Sequence, residues 1–232
     1  MTTDQIHDCT ASALPELGPG FGPGVHLQTD RGPVPVDWLA AGDRVLTLDH
    51  GYQPILWVGR SRVSTAELAS NPALRPIVVP AGRFGRDGPD QDLLLSPDHR
   101  VLVASALVEH HVGTPEALAA CKFLSDAGHS APQSPAQPEG LSYYQVLFSD
   151  HELVLAEGLW VESFFTSDAA LEALDATARQ QAEAALGGSA GAQAMLAARY
   201  VLTDWECKAM RLATLPAATQ AAKGARYGSK SA

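Results

Sequence analysis

The chain has 232 residues, of which 46% are hydrophobic and 18% are charged, as is ordinary for a globular protein. Its 26 acidic against 16 basic residues give a formal net charge of -10, which argues against general binding to nucleic acid or anionic membranes, since both need a basic surface. The three cysteines, Cys9, Cys121 and Cys207, are too few and too widely spaced for a disulfide framework or a cysteine-based zinc site. We therefore expect neither a metal nor a cofactor.

The first 19 residues show no apolar periodicity, and we expect them to form a flexible leader. They lack the basic and apolar segments of a signal peptide. No stretch of the chain approaches the roughly 18 to 20 apolar residues that a membrane-spanning helix needs. The expected location is the cytoplasm or a larger assembly.

From residue 25 to residue 163 short apolar runs alternate with turn-forming residues, and several runs alternate apolar and polar positions as half-buried strands do. Runs typical of strands lie at residues 25–29, 34–38, 44–48, 54–58, 76–79, 92–96, 100–104, 143–148, 152–156 and 159–163. The gaps hold Gly, Asp and Pro, which favour turns. This pattern predicts an all-β body.

Two segments interrupt these runs. Residues 61–72 predict a short helix that is capped near Ser64 and ends before Pro72. Residues 125–140 are rich in Pro, Ser and Gly, and they predict a mobile loop.

The composition changes after Ser163. A helix is predicted over residues 169–186 and a second over residues 192–213, followed by a frayed tail. The predicted organisation is a leader (1–19), a β domain (20–165), a helical extension (166–213) and a tail (214–232).

The segment over residues 93–103 carries the most informative chemistry, because Ser96 and His99 lie at a predicted turn between two strands. This spacing places a hydroxyl and an imidazole near one small volume. The histidine can donate a proton to a leaving amide nitrogen, and the hydroxyl can fix a carbonyl or the imidazole. Taken alone, the motif is better explained as a turn with a serine cap.

Five segments, taken in order, resemble the Hint (Hedgehog/intein) superfamily, specifically its bacterial branch common in alphaproteobacteria. They are residues 20–25 (GFGPGV), 36–48 (VDWLAAGDRVLTL), 53–59 (QPILWVG), 95–102 (LSPDHRVL) and 147–158 (LFSDHELVLAEG). The stretch over residues 198–212 also resembles the closing helix of that branch. The resemblance covers about residues 20–212.

This resemblance implies a compact all-β horseshoe, here with an α-helical appendage, and a self-cleaving activity. In the family, an N-terminal cysteine attacks the preceding carbonyl, and the histidine of the Ser/Thr-x-x-His motif assists the acyl shift. Inteins then use a terminal asparagine to splice, whereas Hedgehog-type members pass the acyl group to an external nucleophile.

The sequence departs from the family at the nucleophile, since Gly20 occupies the position of the cysteine. Glycine has no side chain and cannot begin an acyl shift. Cys9 lies outside the matching segments, and we expect Cys121 and Cys207 to be structural. The single asparagine, Asn71, lies in mid-domain, so composition excludes intein-type cyclisation.

The remaining candidate site consists of Ser96, His99, Asp150 and His151, as the vestige of a catalytic site. By resemblance, His99 is the acid–base residue, and the Asp150-His151 segment approaches the same cleft. A simple turn between two strands explains Asp150 and His151 equally well.

Two further groups invite a metal interpretation that the sequence does not favour. Adjacent histidines on a strand point to opposite faces, so we interpret His110 and His111 as a solvated loop pair. The acidic residues between Asp87 and Asp92 lack the spacing of a calcium loop, and they indicate a polar turn.

Two functions follow from these observations. In the first, the chain is a Hint domain that no longer processes itself and serves as a structural or protein-interaction module, inside a bacterial or phage-related assembly. In the second, it still removes its leader by an altered route. A third reading is that Gly20 was introduced to trap an uncleaved precursor. The expected partner is a protein, and no nucleic acid or membrane partner is expected.

Overall fold

The computed structural model describes residues 18–84, 88–124 and 140–210. Most of the predicted leader, nearly all of the predicted loop at 125–140 and the predicted tail therefore lie outside the described residues. The same holds for Cys9 and Asp87.

Thirteen strands and six α-helices form the described part of the chain. The strands are β1 (His26–Thr29), β2 (Gly32–Pro35), β3 (Arg44–Thr47), β4 (Gly51–Pro54), β5 (Trp57–Val63), β6 (Ile77–Val79), β7 (Leu93–Leu95), β8 (Arg100–Ala104), β9 (Glu116–Ala120), β10 (Leu141–Leu147), β11 (Leu153–Ala156), β12 (Leu159–Glu162) and β13 (Tyr200–Val201). The helices are α1 (Thr65–Ser70), α2 (Ala106–Val112), α3 (Asp168–Glu172), α4 (Ala176–Ala185), α5 (Ser189–Ala194) and α6 (Asp204–Ala209). The predicted mainly β fold with C-terminal helices is confirmed.

Nine strands form one sheet in the order β13-β9-β8-β12-β11-β1-β3-β4, with β2 paired to β1. The long strands β5 and β10 form a separate antiparallel pair, as do β6 and β7. Phe21 bridges the two pairs, because it is antiparallel to both Leu95 of β7 and Tyr144 of β10. The chain at residues 20–22 therefore lies between these two strands.

The main apolar core draws on both ends of the chain. It contains Leu27 and Val161 from the sheet, and it also contains Leu202, Cys207 and Met210 from the C-terminal extension. A smaller cluster joins Trp57 to α3 and α4. The predicted division of the chain at residue 165 stays a prediction, but the extension packs directly on the β body.

The helix predicted over residues 169–186 is wrong as one element, because two helices occupy this range. Helix α3 ends at Glu172, and α4 begins after Asp175, whose side chain accepts the backbone N–H of Ala178. Asp175 therefore begins a new helix, since its carboxylate satisfies a free N–H of the first turn of α4.

The second predicted helix, over residues 192–213, is also wrong. Helix α5 ends at Ala194, Tyr200 and Val201 form β13 parallel to β9, and α6 begins after Thr203. Thr203 and Glu206 form a reciprocal capping box, a local signal that marks a new helix start.

Two more details differ from the sequence-based expectation. His110 and His111 lie on α2, which Ser105 caps and Gly113 ends in a left-handed conformation, so they are neither on a strand nor in a loop. The alanine-rich β9 was not expected, because alanine favours helices and only pairing with β8 makes the segment a strand. The short helix capped by Ser64 is confirmed. No helix in the described ranges is long and apolar enough to cross a membrane.

Candidate functional site

The turn between β7 and β8 carries Ser96 and His99, and both side chains are buried. The backbone N–H of His99 donates to the carbonyl of Ser96 at 3.0 Å, which closes the turn. Pro97 suits this position because its fixed φ matches the second residue of a common turn. Apolar strands on both sides hold the turn inside the core.

Ser96 makes three hydrogen bonds with the segment that contains Gly20. Its Oγ accepts the N–H of Gly20 at 2.9 Å and donates to the carbonyl of Gly18 at 3.1 Å. Its own N–H donates to the carbonyl of Gly20 at 2.9 Å. The Pro19–Gly20 peptide bond therefore lies against the Ser96 hydroxyl.

The imidazole of His99 is almost fully buried, with the ring of Phe21 edge-on at 4.5 Å between centroids. Its Nε2 lies 2.9 Å from the carbonyl oxygen of Glu162. Because a carbonyl only accepts, Nε2 carries the proton and Nδ1 keeps a free lone pair in the neutral ring. Nδ1 has no hydrogen-bond partner among the described residues.

Burial lowers the pKa of His99 below its ordinary value, against the opposing effects of the Glu162 carboxylate and of the Gly20 and Glu162 carbonyls. The ring is therefore neutral near pH 7. A neutral ring whose Nδ1 is free can act as a base.

Gly20 leaves no room for a side chain in this arrangement. A Cβ on Gly20 would lie 2.9 Å from the Cβ of Tyr143 and 3.2 Å from Nε2 of Gln145. The first distance is shorter than carbon atoms tolerate, and the Tyr143 Cβ is fixed to strand β10. A cysteine at this position would require β10 to shift.

The structure separates the two members of the predicted Asp150-His151 pair. Asp150 is exposed in the connection between β10 and β11, where it accepts the hydroxyl of Ser149 at 3.1 Å. His151 is buried and its ring stacks on Phe165 at 4.7 Å. Only His151 belongs to the polar cluster next to His99.

Glu162, which was not among the predicted site residues, is the centre of that cluster. Its Oε1 accepts the backbone N–H of Arg100 at 2.8 Å, and its Oε2 lies 3.0 Å from Nη1 of Arg100. Nε2 of His151 lies 3.4 Å from the same Oε2, which is too long for a well-formed hydrogen bond. The sequence feature that could have pointed to Glu162 is an acidic residue at the end of an apolar strand.

Burial by itself would raise the pKa of Glu162, but the contact with His151 and the charge of Arg100 lower it. Glu162 is therefore an ionised carboxylate in the core. Such a group is tolerated only when it is paired and hydrogen-bonded.

The two described cysteines are not poised as nucleophiles. Sγ of Cys121 donates to the carbonyl of Ser96 at 3.1 Å, and burial raises its pKa far above the ordinary value. Burial also raises the pKa of Cys207 to about 11. Because the thiolate is the reactive form, both are structural, as the sequence predicted.

A polar cleft of about 300 Å³ opens beside Gly18 and Pro19. Its wall includes Arg100, Lys122 and Leu202, so the β domain and the C-terminal extension both contribute. Within residues 18–84, 88–124 and 140–210, no group of three or more His, Cys, Asp or Glu side chains is arranged to hold a metal ion.

The comparison with protein families agrees with the sequence resemblance. A family model described as a Hint domain matches residues 19–168. No curated protein matches the chain. Among solved structures, a splice-inactive, glutathione-linked variant of the AceL NrdHF class 3 split intein is 11% identical with a TM-score of 0.38, covering 62% of this chain and 97% of its own. The gp41-1 intein is 15% identical with a TM-score of 0.31, covering 62% and 98%.

Proposed function

Because the chain belongs to the Hint domain family, whose model matches residues 19–168, we propose that it is a Hint domain that does not process itself and serves as a structural or protein-interaction module. One observation carries this proposal. Gly20, which the sequence resemblance aligns with the family's nucleophile, has no side chain and packs so closely against Tyr143 that none fits without a shift of β10.

No other described side chain replaces the missing thiol. The Ser96 hydroxyl is already hydrogen-bonded to Gly18 and Gly20. Both partners are backbone groups, and neither can act as a base that activates the hydroxyl. The thiols of Cys121 and Cys207 are buried and protonated. Asn71 caps a short helical turn by accepting the N–H of Ala73, which is a structural role.

Exposed apolar side chains on the C-terminal extension support an interaction role. Leu196 is 84% exposed and Trp205 is 72% exposed, and Tyr200 is also exposed. Large apolar groups are costly in water, and aromatic side chains are common anchors of protein interfaces. A protein within a larger assembly is the partner that this chemistry fits.

The intact mass of the purified full chain, followed over days with and without added thiol, tests the proposal. We expect no mass loss under either condition. Release of a fragment that ends at Pro19 would overturn it. For the interaction role, Trp205→Ala is compared with Trp38→Ala, since Trp38 is 75% exposed but lies outside the extension. A strict monomer in light scattering that also has no co-purifying protein contradicts a self-associating or assembled module.

Self-cleavage remains a second candidate because the Ser96 hydroxyl still bonds both sides of the Pro19–Gly20 segment and the His99 ring lies against the adjoining Phe21. Without a nucleophile at residue 20, water would attack the Pro19 carbonyl, His99 Nδ1 would take its proton and pass it to the Gly20 nitrogen, and the C–N bond would break. His99→Gln separates the two functions, because any mass loss by this route stops in that variant.

A further inference from the structure

Residues 198–202, which we call the strap, lie beyond the part of the chain that matches the Hint family model. The Arg199 guanidinium binds both carboxylate oxygens of Asp49 at 2.8 Å, and its Nε donates to Glu116 at 2.9 Å. The N–H of Leu202 donates to the carbonyl of Leu118 at 2.9 Å. Bidentate, charge-assisted bonds of this kind are among the stronger polar contacts in proteins, so they hold the strap in place.

The strap contacts the buried cluster through one hydrogen bond. The backbone N–H of Ala198 donates to Nδ1 of His151 at 3.0 Å. An N–H can only donate, so Nδ1 of His151 is unprotonated and its proton is on Nε2. This Nε2 lies 3.4 Å from Oε2 of Glu162 and makes no closer hydrogen bond among the described residues.

Glu162 in turn holds the chain at His99 by two bonds. Its carboxylate accepts the N–H of Arg100, and its carbonyl accepts the Nε2 proton of His99. The first bond fixes the backbone next to His99, and the second fixes the tautomer of the ring. Such outer contacts orient a functional histidine and decide which nitrogen is free.

We propose that the strap is part of the functional site: through Ala198, His151 and Glu162 it holds His99 in the tautomer that carries its proton on Nε2 and leaves Nδ1 free. His151 and Glu162 are positioning residues in this chain of contacts. The inference rests on the proposed function, in which the site stays assembled in the uncleaved protein.

Ring-nitrogen NMR of the full-length, ¹⁵N-labelled protein tests the geometry first. We expect His99 and His151 both to be neutral with the proton on Nε2, the signals being assigned with His99→Gln and His151→Phe. A His99 ring protonated at Nδ1 in the wild-type protein would overturn the proposal.

Arg199→Ala tests the strap, and Arg179→Ala is the matched control, because Arg179 makes an exposed ion pair with Glu183 within α4. Loss of the charge-assisted bonds of Arg199 should speed amide exchange at Ala198 at least about tenfold. It should also shift or broaden the His99 ring signals, and Arg179→Ala should do neither. Unchanged exchange at Ala198, or faster exchange with unchanged His99 signals, would overturn the proposal.

His151→Phe breaks the same chain of contacts at a second place and keeps a ring against Phe165. We expect the His99 signals to move although Arg199 is intact, and unchanged His99 signals would contradict the proposal. Failure of the proposed function is seen separately, as a loss of mass, so the two results are distinguishable.

Discussion

The hydroxyl of Ser96 lies 2.9 Å from the backbone nitrogen of Gly20, although 76 residues separate them in the chain. The contact places the turn between β7 and β8 against the peptide bond that precedes Gly20. It also satisfies a buried N–H that the sheet does not pair, since the neighbouring Phe21 supplies the strand-like bonds to Tyr144. The same hydroxyl therefore serves both the fold and the candidate site.

Ser96→Ala should destabilise the protein by about 1–3 kcal/mol, because it leaves the N–H of Gly20 buried without a partner. Ser149→Ala is the control, since the hydroxyl of Ser149 is exposed and bonds the neighbouring Asp150. We expect that variant to stay within about 0.5 kcal/mol of the wild type. Urea unfolding measures both changes in free energy, provided that the dependence of the free energy on urea concentration is the same in the variants. Equal unfolding midpoints for the two variants would show that the Gly20 contact contributes nothing to stability.

Gly20→Ala and Gly18→Ala form a second matched pair on either side of Pro19. Neither glycine has a positive φ, so backbone strain does not distinguish them. The new Cβ at residue 20 would lie 2.9 Å from the Cβ of Tyr143, whereas at residue 18 the nearest atoms are 3.6 Å away.

Gly20→Ala should therefore cost about 1–3 kcal/mol through overpacking against β10. Gly18→Ala should be neutral or stabilise by up to about 1 kcal/mol, because the unfolded chain loses entropy. Thermal unfolding of both variants checks this. A stable Gly20→Ala protein would mean that β10 yields easily, and would weaken the steric argument for a closed nucleophile position.

Glu162→Gln tests the buried carboxylate. The substitution keeps an oxygen for the N–H of Arg100 but removes the charge opposite Arg100 and His151, so we expect a loss of about 3 kcal/mol at pH 7. The folded pKa of Glu162 is lowered, so its contribution is present above the unfolded value near 4.5 and is lost as the pH falls through the folded pKa.

The difference in unfolding free energy between the wild type and Glu162→Gln should therefore shrink below about pH 4.5. Glu172→Gln is the control, since that side chain is exposed on α3, and we expect no measurable change. A pH-independent difference for Glu162→Gln would contradict an ionised Glu162 in the core.

Local patterns made much of the fold predictable from the sequence. Residues 44–48 and 100–104 alternate or cluster apolar side chains, and they form β3 and β8 as expected. The strands β9 and β13 could not be found in this way, because their sequences are helix-compatible and only pairing in the sheet, of β9 with β8 and of β13 with β9, makes them strands.

The candidate site was predictable only where its residues are close in sequence. Ser96 and His99 are three residues apart, so their motif was visible. Glu162 meets Arg100 across 62 residues, and Ala198 meets His151 across 47. No local spacing encodes such pairs, since they depend on how the sheet and the extension pack together.

His99 should make stability depend on pH with a definite sign. Burial lowers its folded pKa, so the unfolded chain takes up a proton first as the pH falls below about 6.5, and the native state loses stability. As the pH falls from 8 to 5, the difference in unfolding free energy between the wild type and His99→Gln should therefore shrink. The decrease is at most about 1.4 kcal/mol per pH unit.

His50→Gln is the matched control with the opposite sign. The hydrogen bond and charge of Glu152 raise the pKa of His50, so its contribution is present below about pH 6.5 and is lost as the pH rises through the folded pKa. The wild type should therefore exceed His50→Gln by more at pH 5 than at pH 8. Denaturant titrations across this range measure both differences. A difference between the wild type and His99→Gln that grows as the pH falls would contradict a neutral, buried His99.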